Sequence, residues 1–219
     1  MTRRFFTILN PLIVLLFLFC FREVHSQNIT WYKIFDRFQG NDAGSAICKA
    51  DGENFFIVGS TGSKILLIKI NQYGDTIFAK TIGQPDSRMG KTIAPDGSNN
   101  FYITGDATLP FVVKINIAGE VIWEKYYKTK LNGAHLIESK FFSDNTLVSC
   151  GRIGSWEGYI QKIDSSGNLI WNKSVNGGFY REYSGLEEDE VGNIVLGGND
   201  FATSHFSKYS SGGEFIYEK

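Results

Sequence analysis

The sequence is poor in the residue types on which most metal centres and nucleophilic active sites depend. Its 219 residues include only three Cys, three His and two Met. It contains no Gly-x-Ser-x-Gly elbow, no His-Glu-x-x-His pair and no glycine-rich phosphate-binding loop. We therefore expect neither a zinc site nor a Ser-His-Asp triad, and no catalytic residue is predicted.

A surplus of charge of one sign is also absent. Lys and Arg together number 22 and Asp and Glu 23, and the lysines are spread evenly along the chain. Binding to a nucleic acid needs a basic stripe, so nucleic acid is not an expected partner. No convincing amphipathic helix follows residue 27, whereas 24 Gly, 18 Phe and 10 Tyr favour strands and tight turns.

Long apolar runs are rare, and the one clear case stands at the start of the chain. Two arginines, an apolar segment over residues 5–21 and a polar stretch over residues 22–26 follow one another there. This order is typical of a secretory signal peptide, which we assign to residues 1–26. An uncleaved anchor is the alternative, because 17 residues lie near the lower limit for spanning a bilayer. We expect a secreted or cell-surface protein, with the periplasm as a second location and no membrane contact after cleavage.

One stretch of twelve residues occurs four times. Residues 162–173 read KIDSSGNLIWNK, and residues 69–80, 114–125 and 208–219 align with them without a gap. The four copies are spaced by 45, 48 and 46 residues. A second marker, an apolar run ending in glycine, keeps the same period, with its glycines at positions 59, 105, 151 and 198. Two markers with one period predict four structural repeats of about 46 residues.

Each repeat divides into four short apolar runs separated by turns, which we name strands a to d. The a runs are residues 46–49, 91–94, 136–142 and 184–188, the b runs end at the marker glycines, and the c runs are residues 65–70, 111–115, 159–163 and 205–209. Strand d follows a turn that ends in glycine. Four strands in a unit of this size predict an all-β chain that folds as a β-propeller of four-stranded antiparallel blades. A d-like strand is expected at residues 31–35, and blades at about residues 36–82, 83–127, 128–175 and 176–219.

The repeated residues have structural explanations. The glycine before strand d, Gly167 in the third unit, is expected to adopt a positive φ, and the residue three positions earlier to nucleate the turn. The strand-d aromatics are expected to cover the joint between neighbouring blades. The repeated lysines are expected to pair with carboxylates at the blade edge or to lie across these rings. The aromatics are Phe78, Trp123, Trp171 and Tyr217, and the lysines occupy positions 69, 114, 162 and 208 and positions 80, 125, 173 and 219.

The stretch from Asp164 through Gly167 to Trp171, with its three copies, resembles the propeller repeats of secreted bacterial β-propeller proteins. More distantly, it is similar to the repeats of pyrroloquinoline-quinone dehydrogenases. The resemblance covers about residues 31–219 and implies the propeller fold, but such repeats occur in enzymes and binding proteins alike. The adjacent cysteine pair typical of many quinone dehydrogenases is missing. We therefore favour a non-catalytic extracellular binding or scaffold module, and the alternative is a metal- or quinone-dependent enzyme of which this is a partial chain.

Propellers bind ligands at the channel lined by strand a, so departures from the repeat near that strand are candidate site residues. The strongest departure is the acidic run Glu187, Glu188 and Asp189. Together with Glu138 it could bind a hard cation such as Ca²⁺, which takes oxygen ligands. A solvated turn is the other interpretation of this run. No other cofactor is predicted.

Five further residues stand out. His135 lies near the entry to the third strand a. Arg152, Trp156 and Arg181 are expected in exposed loops, where they could contact an unknown protein or glycan ligand. His205 takes the place of apolar residues in the other units, so it is expected to pack inside its blade.

The repeats also decide what we expect of the cysteines and of ring closure. Cys48 and Cys150 fall in strands a and b of different repeats, so we expect separate, buried, free thiols. Four repeats can close as a four-blade disc, pair with a second copy, or form part of a larger ring. We favour an incomplete propeller that a homodimer or further blades complete.

Overall fold

The computed structural model describes residue 34 and residues 41–83, 88–176 and 180–219. These ranges contain sixteen strands and no helix, and hence no helix that could cross a membrane. The strands are β1 (Asp42–Lys49), β2 (Phe55–Thr61), β3 (Lys64–Ile70), β4 (Thr76–Ile82), β5 (Met89–Pro95), β6 (Asn100–Ala107), β7 (Phe111–Asn116), β8 (Val121–Tyr126), β9 (Ala134–Phe141), β10 (Thr146–Ile153), β11 (Glu157–Asp164), β12 (Leu169–Val175), β13 (Arg181–Glu188), β14 (Ile194–Asp200), β15 (Thr203–Tyr209) and β16 (Phe215–Glu218). The predicted signal peptide and all of the predicted strand 31–35 except Ile34 lie outside the described residues.

Consecutive strands pair antiparallel in four groups of four, each in the order a, b, c, d. The second and third groups are also joined, because β6 pairs with β9 through Asp106 opposite His135 and Ala107 opposite Ala134. The a strands β1, β5, β9 and β13 contact one another in sequence, so they line the concave side of a curved arc. The d strands form its outer edges. This arrangement confirms the predicted four-stranded blades.

The apolar core lies between neighbouring sheets, because each sheet is apolar on both faces and buries them only by stacking. At the first joint, Phe56 and Leu67 of the first sheet pack with Phe101 and Val113 of the second, and all four are at most 2% exposed. The Phe56 and Phe101 rings meet edge to face with centroids 4.8 Å apart. A single sheet would leave these apolar faces exposed, so the fold depends on the stacking of neighbouring sheets.

A hydrogen-bonded link ties the third sheet to the c–d turn of the fourth. Lys162 Nζ, on a side chain only 4% exposed, donates to Asp144 Oδ2 at 2.6 Å and to the carbonyl oxygen of Ser211 at 3.1 Å. The indole Nε1 of Trp171 donates to the same carbonyl at 3.2 Å. A Cβ on Gly213 would stand 2.9 Å from the Trp171 ring. The turn glycine thus adopts a positive φ of 83° and also makes room for the aromatic ring.

The same link recurs at the other two joints. The lysine donors and carbonyl acceptors are Lys69 with Ile117, at 3.0 Å, and Lys114 with Ser165, at 3.1 Å. The rings of Phe78 and Trp123 lie beside the turn glycines of the next sheets. Lys80 and Lys125 lie over these rings, 4.9 and 5.5 Å from the centroids. The repeated aromatics and lysines therefore occupy the joints, where the sequence predicted them.

The outer face of the fourth sheet is more exposed than the equivalent faces of the first three sheets. Phe206 is 38% exposed, whereas the equivalent Leu67, Val112 and Ile160 are fully buried by the next sheet. Lys208 pairs with Asp189 at 2.7 Å, but within the described ranges it reaches no carbonyl of another sheet. That a second copy or further blades cover this face stays a prediction.

The two cysteines in the described ranges are free. Cys150 is fully buried and Cys48 is partly buried. Burial raises the pKa of the Cys48 thiol to about 12, and it raises the pKa of Cys150 as well. Both thiols are therefore protonated and unreactive at neutral pH, as expected of cysteines that fill space.

His205 lies on β15, opposite Gly198 of β14, and is buried in the fourth sheet, as predicted. Its ring meets Tyr183 edge to face, with centroids 5.2 Å apart. Both ring nitrogens are buried without a hydrogen-bond partner among the described residues, although Nδ1 lies 3.5 Å from Asp200 Oδ1. Burial is the main cause that lowers the pKa of His205, and the Asp200 carboxylate opposes it. The folded protein therefore holds this imidazole neutral.

Replacing His205 with phenylalanine, the residue at the equivalent position 111, is expected to make the protein less sensitive to acid. The unfolded histidine binds a proton near its ordinary pKa of about 6.5, and the folded one resists it, so wild-type stability falls as the pH drops below that value. Urea unfolding of both proteins between about pH 7.5 and 5 measures the difference in their free energies of unfolding. The difference should shift in favour of His205→Phe as the pH falls, and a difference independent of pH would contradict the buried neutral state.

Candidate functional site

The glycine that ends each b run is required by a close backbone approach. A Cβ on Gly59, Gly105, Gly151 or Gly198 would stand 1.8 to 2.2 Å from a carbonyl oxygen of the neighbouring a strand. Beside each of these contacts the a strand contains a β-bulge, in which one extra residue is inserted into the pairing. A bulge turns a side chain away from the regular alternation of the strand. The repeated glycine therefore fixes an irregular a strand at the same level in all four sheets.

The residues at the bulge differ from unit to unit. The inserted residues are Ser45, Lys91, Ile137 and Ser184. Two positions earlier on the a strands stand Ala43, Met89, His135 and Glu182. A structural role repeated in every blade would keep one class of residue, as the lysines and aromatics of the joints do. The bulges are thus a structural repeat that presents non-repeating side chains to the concave side of the arc.

Five of these eight side chains, together with Asp106, line one cavity of about 380 Å³. Its lining residues are Ser45, Lys91, Asp106, His135, Ile137 and Glu182, which come from all four sheets. Asp106 lies at the centre of the charged groups: Lys91 Nζ is 3.4 Å from Asp106 Oδ2, and His135 Nδ1 is 3.3 Å from Oδ1. The cavity is therefore polar, with charges of both signs, and its size falls within the roughly 300–1,000 Å³ typical of small-molecule sites.

Aromatic side chains continue the cavity wall beyond Glu182. The Tyr180 hydroxyl donates a hydrogen bond to Glu182 Oε2, and the Arg152 guanidinium carbon lies 5.3 Å from the Tyr180 ring centroid. Arg152 Nε is 3.8 Å from the Glu182 carboxylate. Burial, and then the hydrogen bond to Glu182, raise the pKa of Tyr180. Arg152, Tyr180 and Glu182 thus form a connected polar edge.

Two exposed rings stand on the adjoining b–c turns. Trp156 connects β10 to β11, and Phe201 connects β14 to β15. Their rings are nearly parallel, with an interplanar angle of 14° and centroids 6.4 Å apart, and Phe201 meets Tyr180 edge to face at 6.1 Å. The Arg181 amide N–H donates to the Trp156 carbonyl at 2.9 Å, which anchors this turn to the fourth sheet.

Of the three residues predicted in exposed loops, Trp156 lies in one, on the turn between β10 and β11. The prediction was wrong for Arg152, which is on β10 with a side chain only 17% exposed, although the structure brings it to the same edge as Trp156. The prediction for Arg181 was wrong, because its side chain is only 8% exposed. It forms two hydrogen bonds with Asp200 and two with Glu218, at 2.7 to 2.9 Å. Those four charge-assisted contacts make Arg181 a structural residue of the fourth sheet.

The acidic run predicted as a cation site lies at the other end of the a strands. Glu187 pairs with Lys140, Glu188 accepts hydrogen bonds from the Ser143 backbone and hydroxyl, and Asp189 binds Lys208. Burial raises the pKa of Glu138, and the hydrogen bond from Lys208 lowers that of Asp189. Over the described ranges no three His, Cys, Asp or Glu side chains come together as metal ligands. Calcium binding by these residues stays a prediction.

Sequence reasoning missed Lys91, Asp106, Glu182, Tyr180 and Phe201. Glu182 belongs to an a strand that was predicted three residues too short at its beginning, whereas Lys91 was the first residue of its predicted a run and was not singled out. The signal that could have found them is the unit-by-unit comparison of the residues at the beginning of each a strand.

No protein-family model matches the chain, and no curated protein matches it in sequence. Solved structures do match it in fold. A protein of unknown function from Bacteroides caccae superposes with a TM-score of 0.54 at 12% identity, over 76% of this chain and 57% of that one. The WD40 domain of Neurospora crassa Pan2 has a TM-score of 0.54 at 10% identity, over 77% and 49%. A luciferin-regenerating enzyme has a TM-score of 0.51 at 13% identity, over 80% and 62%.

The fold is that of a β-propeller. WD40 repeats form propeller blades, and the sheets described above have the same order and pairing. At these low identities the likeness shows the fold alone. The chain spans between 49% and 62% of the length of these structures. None of these matches singles out the repeats of quinone dehydrogenases, so that finer part of the resemblance has no further support.

Proposed function

We propose that this chain is an extracellular, non-catalytic binding module whose ligand occupies the cavity at the bulged ends of the a strands. One observation carries the proposal: the backbone repeats in all four sheets at this level, and the side chains it presents do not. Residues that hold a propeller together recur from blade to blade, as the joint lysines and aromatics do. Residues that recognise an asymmetric ligand must differ.

The chemistry of the cavity favours binding over catalysis. The cavity lining includes the imidazole of His135, which is next to Asp106. In the described ranges, that imidazole has no hydrogen bond to the hydroxyl of a Ser or Thr or to the thiol of a Cys. A nucleophile needs such a base within hydrogen-bond reach. Lys91, Asp106 and Glu182 instead offer donors and acceptors arranged around an open space, which is what a polar ligand requires.

Alanine at Lys91 is expected to weaken ligand binding by about tenfold or more, since a hydrogen bond to a charged group contributes roughly 1.5–3 kcal/mol. The measurement uses printed arrays of oligosaccharides and of linear peptides, probed with the wild type and Lys91→Ala. Lys140→Ala is the matched control, because Lys140 is also a lysine of an a strand but lies at the opposite end, paired with Glu187.

We expect some oligosaccharides or peptides on the arrays to bind the wild type and Lys140→Ala but to bind Lys91→Ala much more weakly. If nothing on either array binds, or if the two lysine variants behave alike, the cavity is not the ligand site.

A further inference from the structure

The largest exposed aromatic surface near the cavity is formed by Trp156 and Phe201. Trp156 is 56% exposed and Phe201 is 71% exposed. Large apolar side chains that remain exposed together mark interaction sites more often than isolated ones do. The two rings are stacked, and each keeps much of its surface exposed to a ligand.

The backbone at Phe201 is strained. Its φ is +44°, in the left-handed region that non-glycine residues seldom adopt, and for a bulky aromatic this is an outlier. Such strain costs about 1–3 kcal/mol and persists mainly where function requires it. Glycine would relieve it, and the exposed phenyl ring adds little packing in return. Folding alone therefore does not explain the presence of phenylalanine at this position.

The polar groups beside the rings carry both signs of charge. Arg152 and Lys91 are donors, whereas Glu182 and Asp106 are acceptors, and all four lie along the cavity and its edge. The positive charges of Arg152 and Lys91 are balanced by the negative charges of Glu182 and Asp106, so the site has no net charge with which to attract an anion or a cation. A neutral ligand rich in hydroxyl groups satisfies both sets, because each hydroxyl donates one hydrogen bond and accepts others.

We propose that the ligand is a neutral carbohydrate, with one sugar ring lying on the Trp156–Phe201 surface and the next reaching the cavity at Glu182. A sugar ring combines an apolar C–H face, which packs on an aromatic ring, with a rim of hydroxyls that pair with charged side chains. An apolar peptide side chain would instead need a concave apolar pocket, and Ile137 is the one aliphatic residue of this cavity's lining. The inference rests on the proposed function and names its ligand class.

The test uses the same two arrays with four further variants: Phe201→Gly, Trp156→Ala, Trp156→Phe and Tyr73→Ala. Tyr73 is the control, because it is an exposed aromatic, 65% exposed, on a c–d turn of the first sheet. Phe201→Gly and Trp156→Ala should each weaken binding to neutral oligosaccharides about tenfold or more, whereas Trp156→Phe should retain most of it. Phe201→Gly should also melt at the same temperature as the wild type or higher, which excludes a folding defect.

The outcomes separate the inference from the proposed function. Binding of neutral oligosaccharides that depends on Lys91, Trp156 and Phe201 supports both. Peptide binding that depends on Lys91 supports the cavity as the ligand site and contradicts the proposal that the ligand is a carbohydrate. If Trp156→Ala and Phe201→Gly leave sugar binding unchanged, the Trp156–Phe201 surface does not contact the sugar. If neither array shows binding, both the proposed function and the carbohydrate inference are contradicted.

Discussion

Replacing Gly198 with alanine is expected to lower the free energy of unfolding by about 3 kcal/mol or more, whereas the same change at Gly197 should leave it nearly unchanged. A Cβ on Gly198 would stand 2.2 Å from the carbonyl oxygen of Glu182 and 2.8 Å from the His205 ring. Backbone cannot yield as a flexible side chain does. A Cβ on the neighbouring Gly197 would meet no atom within 4 Å.

The two adjacent glycines form a matched pair for urea unfolding. Neither has a positive φ, so the loss of chain flexibility is similar in both variants and any difference between them reports the close approach. Because the a strand of the fourth sheet is held by this contact, Gly198→Ala should also displace Glu182 and weaken ligand binding. Equal stability of the two variants would show that the bulge does not require the glycine.

Replacing Lys162 with methionine is expected to lower the free energy of unfolding by about 2 kcal/mol, whereas Lys208→Met should lower it much less. Lys162 is 4% exposed and donates to Asp144 and to the Ser211 carbonyl across the joint between the third and fourth sheets. Methionine fills the same volume without these donors. Asp144 remains 44% exposed and can be hydrated, which limits the loss.

Lys208 is the same residue of the repeat in the fourth sheet. Its side chain is 23% exposed, against 4% for Lys162, and its ion pair with Asp189 lies within the fourth sheet rather than across a joint, so less is lost when it is removed. Chemical denaturation of the two variants measures the contrast directly. A cost at Lys208 as large as at Lys162 would mean that a partner, such as a second copy, covers the fourth sheet in solution.

Much of the fold could be read from the sequence because the residues at each joint repeat. The twelve-residue stretch predicts the c–d hairpin: Asp164 Oδ1 accepts hydrogen bonds from the amides of Ser166 and Asn168, and Gly167 has a φ of +79°. Trp171 reaches the next sheet, as its size and position suggested. These features depend on local turn geometry and on the stacking of identical units, and both leave a signal in a single sequence.

The candidate site could not be read in the same way. The bulges at Ser45, Lys91 and Ile137 insert one residue into a paired strand, and no hydrophobic alternation marks them. The acidic run at Glu187 attracted attention by composition, yet each of its carboxylates is engaged by a neighbouring lysine or serine. The cavity depends on the pairing and packing of strands, which bring side chains from four separate repeats together.

We propose that residues that keep the repeat hold the propeller together and that residues that break it at the cavity bind the ligand. The most direct test measures, in parallel, urea unfolding and oligosaccharide binding for Lys162→Met and His135→Ala. We predict that Lys162→Met loses about 2 kcal/mol of stability and binds normally while folded, and that His135→Ala, whose side chain is 41% exposed, keeps its stability and loses binding about tenfold. The reverse pattern, or one variant losing both properties while the other loses neither, would contradict this division of roles.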